Sequence, residues 1–372
     1  MKSGPDDVAS LSRPAFIFIY MEVTTVHFIK TLTNSSRKQL LIIALLFAAL
    51  IPGLTWAQVE MGISFDGKTE TLMPVSAESG SSSGRENGYR GKNRVTSADL
   101  FELGIEGHDW ENGNVPAAIL EAEKGALPAS PWADGEVATE SVLGKDRSQR
   151  LFTKDYPQRA VAYITFQKVK GGGTFRCTGW LIGRDTVATA GHCVHAGNGG
   201  NWFYGPSFKI YPGRDGTKSP FGVCSATRLY TNTAWTGTGS NRDRYDYGAI
   251  KLSTNCGNAT GWFGYYWKSA SLKNHATILQ GYPGGKKGNT RQWITADRNR
   301  CDHSHKIFYG ADTDGGQSGG PIWNDTTKDG AFGMGIHAYG PFGTGCWAKY
   351  NSGTRIREAV FNLMKQWKAA AK

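Results

Sequence analysis

The chain has 372 residues, enough for two domains or for one large domain. Its 49 glycines and 12 tryptophans argue against a helical bundle and favour short strands joined by glycine-rich turns. The net charge of +11 makes nucleic acid an obvious partner to consider. However, the sequence contains no helix-turn-helix, zinc-finger or RNA-binding motif, so nucleic-acid binding is disfavoured.

The first predicted element is a leader at residues 1–57. Two basic residues precede an apolar run at 40–54, and small residues follow, up to Ala57. This order is typical of a signal peptide, and it predicts export with cleavage after Ala57. The run is short for a membrane span and contains Pro52, so an uncleaved anchor is the weaker alternative. After cleavage we expect no association with the membrane.

Charge divides the rest of the chain into two regions. Residues 58–140 carry 15 acidic and 6 basic residues, whereas residues 141–372 carry 13 acidic and 31 basic residues. An acidic segment ahead of a basic region suggests a propeptide that docks on the domain behind it. Within the acidic segment, residues 78–93 read as a flexible linker rich in Ser, Gly and Asn.

The region 141–372 reads as an all-β domain with one helix at its end. Its apolar segments are short, often alternating or β-branched, and separated by turns. They include RAVAYITF, TGWLIG, TVATAG, YGAIKL, ATILQGY, RQWITAD and GMGIHAYG. Only residues 354–372 look helical, with an apolar stripe that we expect to pack against the β domain. The stripe consists of Ile356, Val360, Leu363, Met364 and Trp367.

All six cysteines lie in the C-terminal region, and an even number in an exported protein favours disulfides. They are Cys177, Cys193, Cys224, Cys256, Cys301 and Cys346. A zinc site is the alternative, because several His and Cys residues are close in sequence: His192, Cys193, His195, Cys301, His303 and His305. No CxxC or HExxH motif accompanies them, so we predict no metal and no other cofactor.

Three short stretches contain residues that could work together in nucleophilic catalysis. Ser318 lies among four glycines in DTDGGQSGGPIW, His192 lies in TVATAGHCVHA, and Asp246 opens the apolar strand in YDYGAIKL. Each is ordinary by itself: a turn serine, a lone histidine and a strand boundary. A serine becomes a strong nucleophile when an imidazole takes its proton and a buried carboxylate orients that imidazole. The three stretches together therefore indicate such a site.

The motifs TAGHC (189–193), DYGAI (246–250) and GGQSGGP (315–321), in this order, resemble those of the trypsin-like serine endopeptidases. The resemblance covers about residues 141–360. It implies an all-β, chymotrypsin-like fold of two antiparallel six-stranded β-barrels, to which the C-terminal helix is added, with the active site between the barrels.

The same resemblance assigns roles to particular residues. It implies that His192, Asp246 and Ser318 are the catalytic triad, and that the backbone N–H groups of Gly316 and Ser318 form the oxyanion hole. It also implies a disulfide between Cys177 and Cys193. We pair the other cysteines as Cys224–Cys256 and Cys301–Cys346, although the residues leave this connectivity open.

Two residues point to different substrate preferences. Asp312 occupies the position at which trypsins have the carboxylate that selects Lys or Arg. In contrast, His337 in GIHAYG and Thr313 resemble the glutamyl endopeptidase branch of the family, where an imidazole and a hydroxyl bind a Glu side chain. This branch predicts that Ala338, Tyr339 and Gly340, which follow His337, also bind substrate.

The stretch SVLGKDR (141–147) resembles the start of mature glutamyl endopeptidases, whose freed amino group reaches the pocket. Cleavage between Glu140 and Ser141 would make Ser141 a substrate-binding residue, and the bond is itself a Glu site. Composition agrees: residues 141–372 contain a single glutamate, Glu358, whereas the 83 residues of 58–140 contain 11. A protease that cleaves after Glu benefits from lacking Glu in its own domain.

The sequence therefore predicts a secreted, monomeric glutamyl endopeptidase made as a zymogen, with protein or peptide substrates and its own propeptide as partners. The runner-up within enzymes is a trypsin-like protease of basic or broad specificity. A different class, a catalytically inactive binding protein of the same fold, is disfavoured because all three catalytic residue types are present.

Overall fold

The computed structural model describes residues 60–64, 69–72, 81–92, 103, 126–129, 141–285 and 290–372. These residues all fall within the unit Gln58–Lys372. The predicted leader, its cleavage point and Glu140 lie outside the described residues. None of the helices in these ranges has the length and apolar character needed to cross a membrane.

Five short strands precede the barrels. They are β1 (Glu60–Ser64), β2 (Thr69–Leu72), β3 (Ser83–Glu86), β4 (Leu127–Pro128) and β5 (Gln149–Arg150).

The first barrel is a closed ring of six antiparallel strands. They are β6 (Val161–Gln167), β7 (Thr174–Leu181), β8 (Thr186–Thr189), β9 (Tyr204–Pro212), β10 (Cys224–Asn232) and β11 (Gly248–Leu252). Their order is β11-β8-β7-β6-β9-β10, and the pairing of β10 with β11 closes the ring. Ala162, Ile164 and Phe166, which alternate along β6 and share one face, are buried, as expected for a barrel core.

The crossover strand β12 (Gly264–Lys268) leads to a second set of six antiparallel strands. They are β13 (Ala276–Gly281), β14 (Trp293–Arg298), β15 (Lys306–Tyr309), β16 (Pro321–Thr327), β17 (Gly330–Tyr339) and β18 (Asn351–Arg355). A bridge between Asn299 and Tyr309 joins the ends of this sheet. The two predicted barrels are therefore confirmed.

Among the residues that the structure describes, α-helices are few, and they are short except at the C-terminal end. They are α1 (Thr233–Thr236), α2 (Gly257–Thr260), α3 (Cys346–Lys349) and α4 (Glu358–Ala369). The predicted terminal helix is confirmed as α4, and its stripe from Val360 to Trp367 is buried. The helix begins later than predicted, because Thr354 and Arg355 belong to β18 and pair with β15 and β17.

The N-terminal strands extend both sheets. β1 pairs with β10 and β2, β4 runs parallel to β7, and β5 pairs with β14. β3 pairs with the crossover strand β12. Residues 81–92 thus differ from the predicted linker, since they lie as a strand and an extended segment against the barrels. Backbone pairing with β12 orders this segment, and its content of Ser, Gly and Asn gives no sign of that pairing.

Three disulfides join the cysteines in the predicted pairs. Cys177–Cys193 links β7 to the turn after β8, and Cys224–Cys256 links β10 to the start of α2. Cys301–Cys346 links the loop between β14 and β15 to the start of the short helix Cys346–Lys349. No cysteine is free.

A buried ion pair anchors the C-terminal helix on the first barrel. Nζ of Lys251 lies 2.9 Å from a carboxylate oxygen of Asp185 and donates to the carbonyl oxygens of Trp367 and Lys368 at 3.3 and 3.1 Å. Both side chains of the pair are at most 4% exposed. The ammonium satisfies carbonyl groups that the end of α4 leaves without intrahelical donors.

We predict that Asp185→Asn lowers the free energy of unfolding by about 3 kcal/mol, because the ammonium of Lys251 stays buried without its counter-charge. The matched control is Asp215→Asn, which breaks the partly exposed pair with Arg150 and should cost less than about 1 kcal/mol. Urea denaturation in a Ser318→Ala background measures both. Equal costs for the two variants would contradict the proposed anchoring.

Candidate active site

Ser318 lies on a tight loop whose backbone requires glycine on both sides of it. Gly316 and Gly319 have φ angles of +103° and +87°, in the region that glycine tolerates. A Cβ on Gly319 would collide with the carbonyl oxygen of Thr178 and the hydroxyl of Thr189. The glycines around Ser318 thus bring its backbone directly against the first barrel.

His192 lies in a short 3-10 turn, Gly191–Cys193, immediately after β8. Its Nδ1 is 2.7 Å from Oδ2 of Asp246, and its backbone N–H donates to Oδ1 of the same carboxylate at 2.9 Å. Both side chains are at most 1% exposed. The carboxylate therefore fixes the imidazole from two directions.

Asp246 lies two residues before β11, at the strand boundary predicted from the sequence. Its backbone carbonyl accepts a bond from the hydroxyl of Thr354 at 3.0 Å, which ties it to the second barrel. Burial alone would raise the pKa of Asp246, but the charge and hydrogen bonds of His192 and a hydrogen bond from Tyr339 hold it below its ordinary value. The carboxyl is therefore ionised at neutral pH.

The structure brings Ser318 next to the turn that carries His192. Sγ of Cys193 lies 3.7 Å from the carbonyl oxygen of Ser318, and the N–H of Thr178 donates to this oxygen at 2.8 Å. Nε2 of His192 is buried and has no hydrogen bond among the described residues. In unliganded enzymes the bond from nucleophile to base is often long and shortens when substrate binds.

Asp312 faces the segment at 141–147. Its carboxylate accepts hydrogen bonds from the backbone N–H groups of Leu143 and Arg147 at 2.9 and 2.8 Å. Nε of Arg147 lies 3.5 Å away, and the Asp312 side chain is 1% exposed. This carboxylate is already paired, so it does not serve as an open partner for a basic side chain.

Ser141 lies at the centre of a small hydrogen-bonded group. Its backbone N donates to Oγ1 of Thr313 at 3.0 Å and to Oδ1 of Asn351 at 3.2 Å. Its carbonyl oxygen accepts from the N–H of Thr313 and from Nδ2 of Asn351. Asn351 was not predicted as a site residue, because a lone Asn at the start of a strand gives no signal until the fold brings it to Ser141.

His337 is fully buried on β17, and its Nδ1 lies 2.5 Å from the hydroxyl of Tyr309. Its backbone N–H and C=O bond Gly320 and Gly319, which fixes it beside the Ser318 loop. The pairing of β17 with β18 shifts its register between His337 and Tyr339, at Ala338. Such a bulge changes the direction of the side chains that follow it.

Tyr339, predicted to bind substrate, lies beside His192 and Asp246. Its ring centroid is 6.4 Å from that of His192, and it hydrogen bonds Asp246. Nζ of the buried Lys306 lies 4.1 Å from the Tyr339 ring, and burial lowers the pKa of this lysine to about 8. Ala338 and Gly340, its neighbours in the chain, are also buried.

Comparisons with known proteins agree with this geometry. A family model described as Trypsin matches residues 152–362. A glutamyl endopeptidase of Bacillus licheniformis is 35% identical over 264 residues, which cover 70% of this chain and 77% of that protein.

The chain belongs to the trypsin family.

This member of the trypsin family is a serine endopeptidase. A protein named extracellular metalloprotease, from Bacillus subtilis, is 32% identical over 278 residues, covering 74% of this chain and 82% of that protein. Among solved structures, "Structure of Glu endopeptidase in complex with MPD" matches with a TM-score of 0.53 and 25% identity. It covers 62% of this chain and 100% of the matched chain.

In the described part of this protease, one group of side chains has the spacing of metal ligands: Cys177, His192 and Cys193. The two cysteines are joined in a disulfide, which lacks the thiolate charge that zinc ligands supply. The group therefore does not fit a metal.

We predict that Asp312→Asn lowers the free energy of unfolding by about 2 kcal/mol, because two N–H groups lose a charged acceptor. Urea denaturation in the Ser318→Ala background measures the loss. Asp146→Asn, a change in the exposed part of the same segment, is the control and should cost less than about 0.5 kcal/mol. If Asp312→Asn left stability unchanged and, in active enzyme, abolished cleavage after Lys, the carboxylate would face substrate instead.

Proposed function

We propose that this serine endopeptidase is a secreted glutamyl endopeptidase that cleaves peptide bonds after Glu. Ser318 is the nucleophile: its Oγ attacks the carbonyl carbon while Nε2 of His192 takes the proton. The imidazolium then protonates the leaving amine and becomes neutral again. The neutral imidazole next takes a proton from the water that hydrolyses the acyl-enzyme. Asp246 holds the imidazole in the required tautomer through the 2.7 Å contact at Nδ1 and stabilises its charged form.

Backbone donors stabilise the negative charge that forms on the carbonyl oxygen. The proposed oxyanion hole consists of the N–H groups of Gly316 and Ser318. The N–H of Gly316 has no acceptor among the described residues, and the positive φ of this glycine sets its direction. Its Cβ-free backbone also lets the loop approach Tyr282 closely.

The preference for Glu is carried by one observation, the position of Ser141 N at 3.0 Å from Oγ1 of Thr313. Cleavage of the bond from Glu140 would turn this backbone amide into an ammonium group with an ordinary pKa of about 8. Together with the hydroxyl of Thr313 and the imidazole of His337, it would provide charge-assisted donors for a carboxylate. Asp312 does not compete, because it bonds the segment 143–147.

Two further observations support this preference. The relative at 35% identity is named a glutamyl endopeptidase. Glu358, the single glutamate in residues 141–372, lies partly buried in the first turn of α4. Proteases cleave extended, locally unfolded chain, so a glutamate held in a helix resists self-digestion.

We also propose that the chain is made as a zymogen with three parts: a leader (1–57), a propeptide (58–140) and a catalytic domain (141–372). The pairing of β4 with β7 supports the propeptide assignment, because the N–H of Ala129 donates to the carbonyl of Arg176, one residue before Cys177. The name of the Bacillus subtilis relative, an extracellular protein, supports secretion. The mature enzyme is proposed to act as a monomer.

We predict that Ser318→Ala and His192→Ala each reduce kcat/KM for a Glu-containing chromogenic peptide by about 10⁴- to 10⁶-fold. Each change removes one member of a chemical unit without touching the barrel cores. Circular dichroism and urea denaturation check that the variants remain folded. Wild-type turnover in either folded variant would refute the catalytic assignment.

We predict that His337→Val lowers kcat/KM for cleavage after Glu by about 30- to 1000-fold, whereas cleavage after Leu changes much less. Loss of a charge-assisted contact to a buried carboxylate costs about 2–4 kcal/mol. The measurement uses matched peptides with Glu, Asp, Leu or Lys before the cleaved bond.

The control is His275→Val, which removes a partly exposed imidazole near β13 and should leave all four rates unchanged. An equal loss on every peptide for His337→Val would indicate misfolding and not recognition. A wild-type preference for Lys over Glu would contradict the glutamyl assignment altogether.

A further inference from the structure

Residues 81–92, called the brace, form a docked segment that contacts the catalytic domain along β12. Within it, β3 pairs with all of the outer edge of β12 from Tyr265 to Lys268. Tyr89 and Trp262 then exchange backbone hydrogen bonds of 2.8 Å in both directions, and their ring centroids are 4.6 Å apart. The brace therefore covers a strand edge that would otherwise present unpaired N–H and C=O groups.

A buried arginine of the catalytic domain depends on the brace for its hydrogen bonds. Arg159 is 4% exposed, and its guanidinium donates to the carbonyl oxygens of Arg90 and Lys92 at 2.6 and 2.5 Å. Its Nε donates to the carbonyl oxygen of Thr260. Departure of the brace would remove the carbonyl acceptors of Arg90 and Lys92 and leave the bond to Thr260, so water would have to replace two hydrogen bonds of a charged donor.

Side chains of the brace reach the second barrel and α4. The guanidinium carbon of Arg85 lies 3.6 Å from the centroid of the Phe332 ring. The carboxylate of Glu86 lies 3.0 Å from Nζ of Lys368 and 3.8 Å from Nζ of Lys365. The brace carries one acidic residue and three basic ones, so overall charge attraction does not hold it on the basic domain. Its binding therefore depends on these individual contacts.

Glycines face each other across this contact. A Cβ on Gly88 would lie 2.6 Å from the N of Gly264, and a Cβ on Gly264 would lie 2.7 Å from the N of Gly88. Gly261 has a φ of +75°, and a Cβ there would collide with the carbonyl of Tyr89. Small residues on both sides let the two backbones approach closely, so both partners are shaped for the contact.

We propose that the brace stays bound to the catalytic domain as a separate, non-covalent peptide after the chain is cut at Glu140–Ser141. This inference rests on the proposed maturation and adds a partner to the mature enzyme. The brace touches the crossover strand, Arg159 and α4 but no member of the triad, so a retained brace leaves the active site open. Its role is to stabilise the junction between the barrels.

The proposed specificity also defines which peptide remains. Glu78 and Glu102 flank the brace in the sequence, so cleavage after Glu would release residues 79–102 as one fragment. Glu86 lies inside the fragment but is paired through its backbone with Tyr265 and through its carboxylate with Lys368. A paired strand is a poor substrate for a protease, so this bond should survive.

The test begins with full-length protein that is allowed to process itself. Size-exclusion chromatography followed by denaturing mass spectrometry should find a peptide containing 81–92 in about a 1:1 ratio with the catalytic domain. Gly88→Val should abolish its retention, because the added side chain collides with Gly264. Asn87→Val, at the neighbouring exposed residue, is the matched control and should retain the peptide.

If Gly88→Val does not fold, Lys368→Gln decides the question, because it removes the 3.0 Å ion pair with Glu86 and leaves every Glu of the brace in place. It should shorten the retention half-time about 2- to 5-fold. A catalytic domain that begins at Ser141 and carries no brace peptide would overturn this inference and leave the proposed function intact. A domain with a different amino terminus, or without activity on Glu peptides, would instead count against the proposed function.

Discussion

The proposed active site depends on hydrogen bonds that join the two barrels at Thr178. Its backbone N–H donates to the carbonyl of Ser318 and its hydroxyl to the carbonyl of Gly316, both at 2.8 Å. The same hydroxyl accepts the N–H of Tyr282, while the carbonyl of Thr178 accepts the hydroxyl of Thr189. His192 and Asp246 come from the first barrel and Ser318 from the second, so these bonds fix the register in which the three can meet.

A second constraint acts at the start of the proposed catalytic domain. Asp312 and Thr313 are adjacent, yet the first holds the backbone of residues 143–147 and the second receives the backbone N of Ser141. If maturation frees this nitrogen, the cut that removes the propeptide also completes the substrate pocket. One cleavage would then both activate the enzyme and complete its specificity pocket. A change in the position of the amino terminus would therefore also change the pocket.

The sequence predicted those parts of the structure whose signal is local. β6, β8 and β11 are short apolar runs bounded by turns. β9 and β18 were not predicted, because YGPSFKIYP and NSGTR mix polar and small residues and become strands only through their neighbours. The brace was read as a linker for the same reason: its order comes from the edge of β12.

The site was predictable in part as well. Motif order identified the candidates His192, Asp246 and Ser318, but not Asn351 or Tyr309, which lack a motif and reach Ser141 and His337 through the fold alone. The direction of Asp312 was equally beyond sequence reasoning. A buried carboxylate can face either a pocket or a backbone segment, and only its hydrogen-bond partners distinguish the two.

The central claim is that a freed amino group at Ser141 completes the site for Glu. The most direct measurement combines N-terminal sequencing with kcat/KM for Glu and Leu peptides, in the wild type and in Glu140→Gln, with Glu136→Gln as control. We predict a wild-type chain that starts at Ser141. We predict that Glu140→Gln remains uncut at this bond and loses Glu cleavage by more than about 100-fold. A Glu140→Gln protein that keeps residue 140 attached and cleaves Glu peptides at the wild-type rate would contradict the claim.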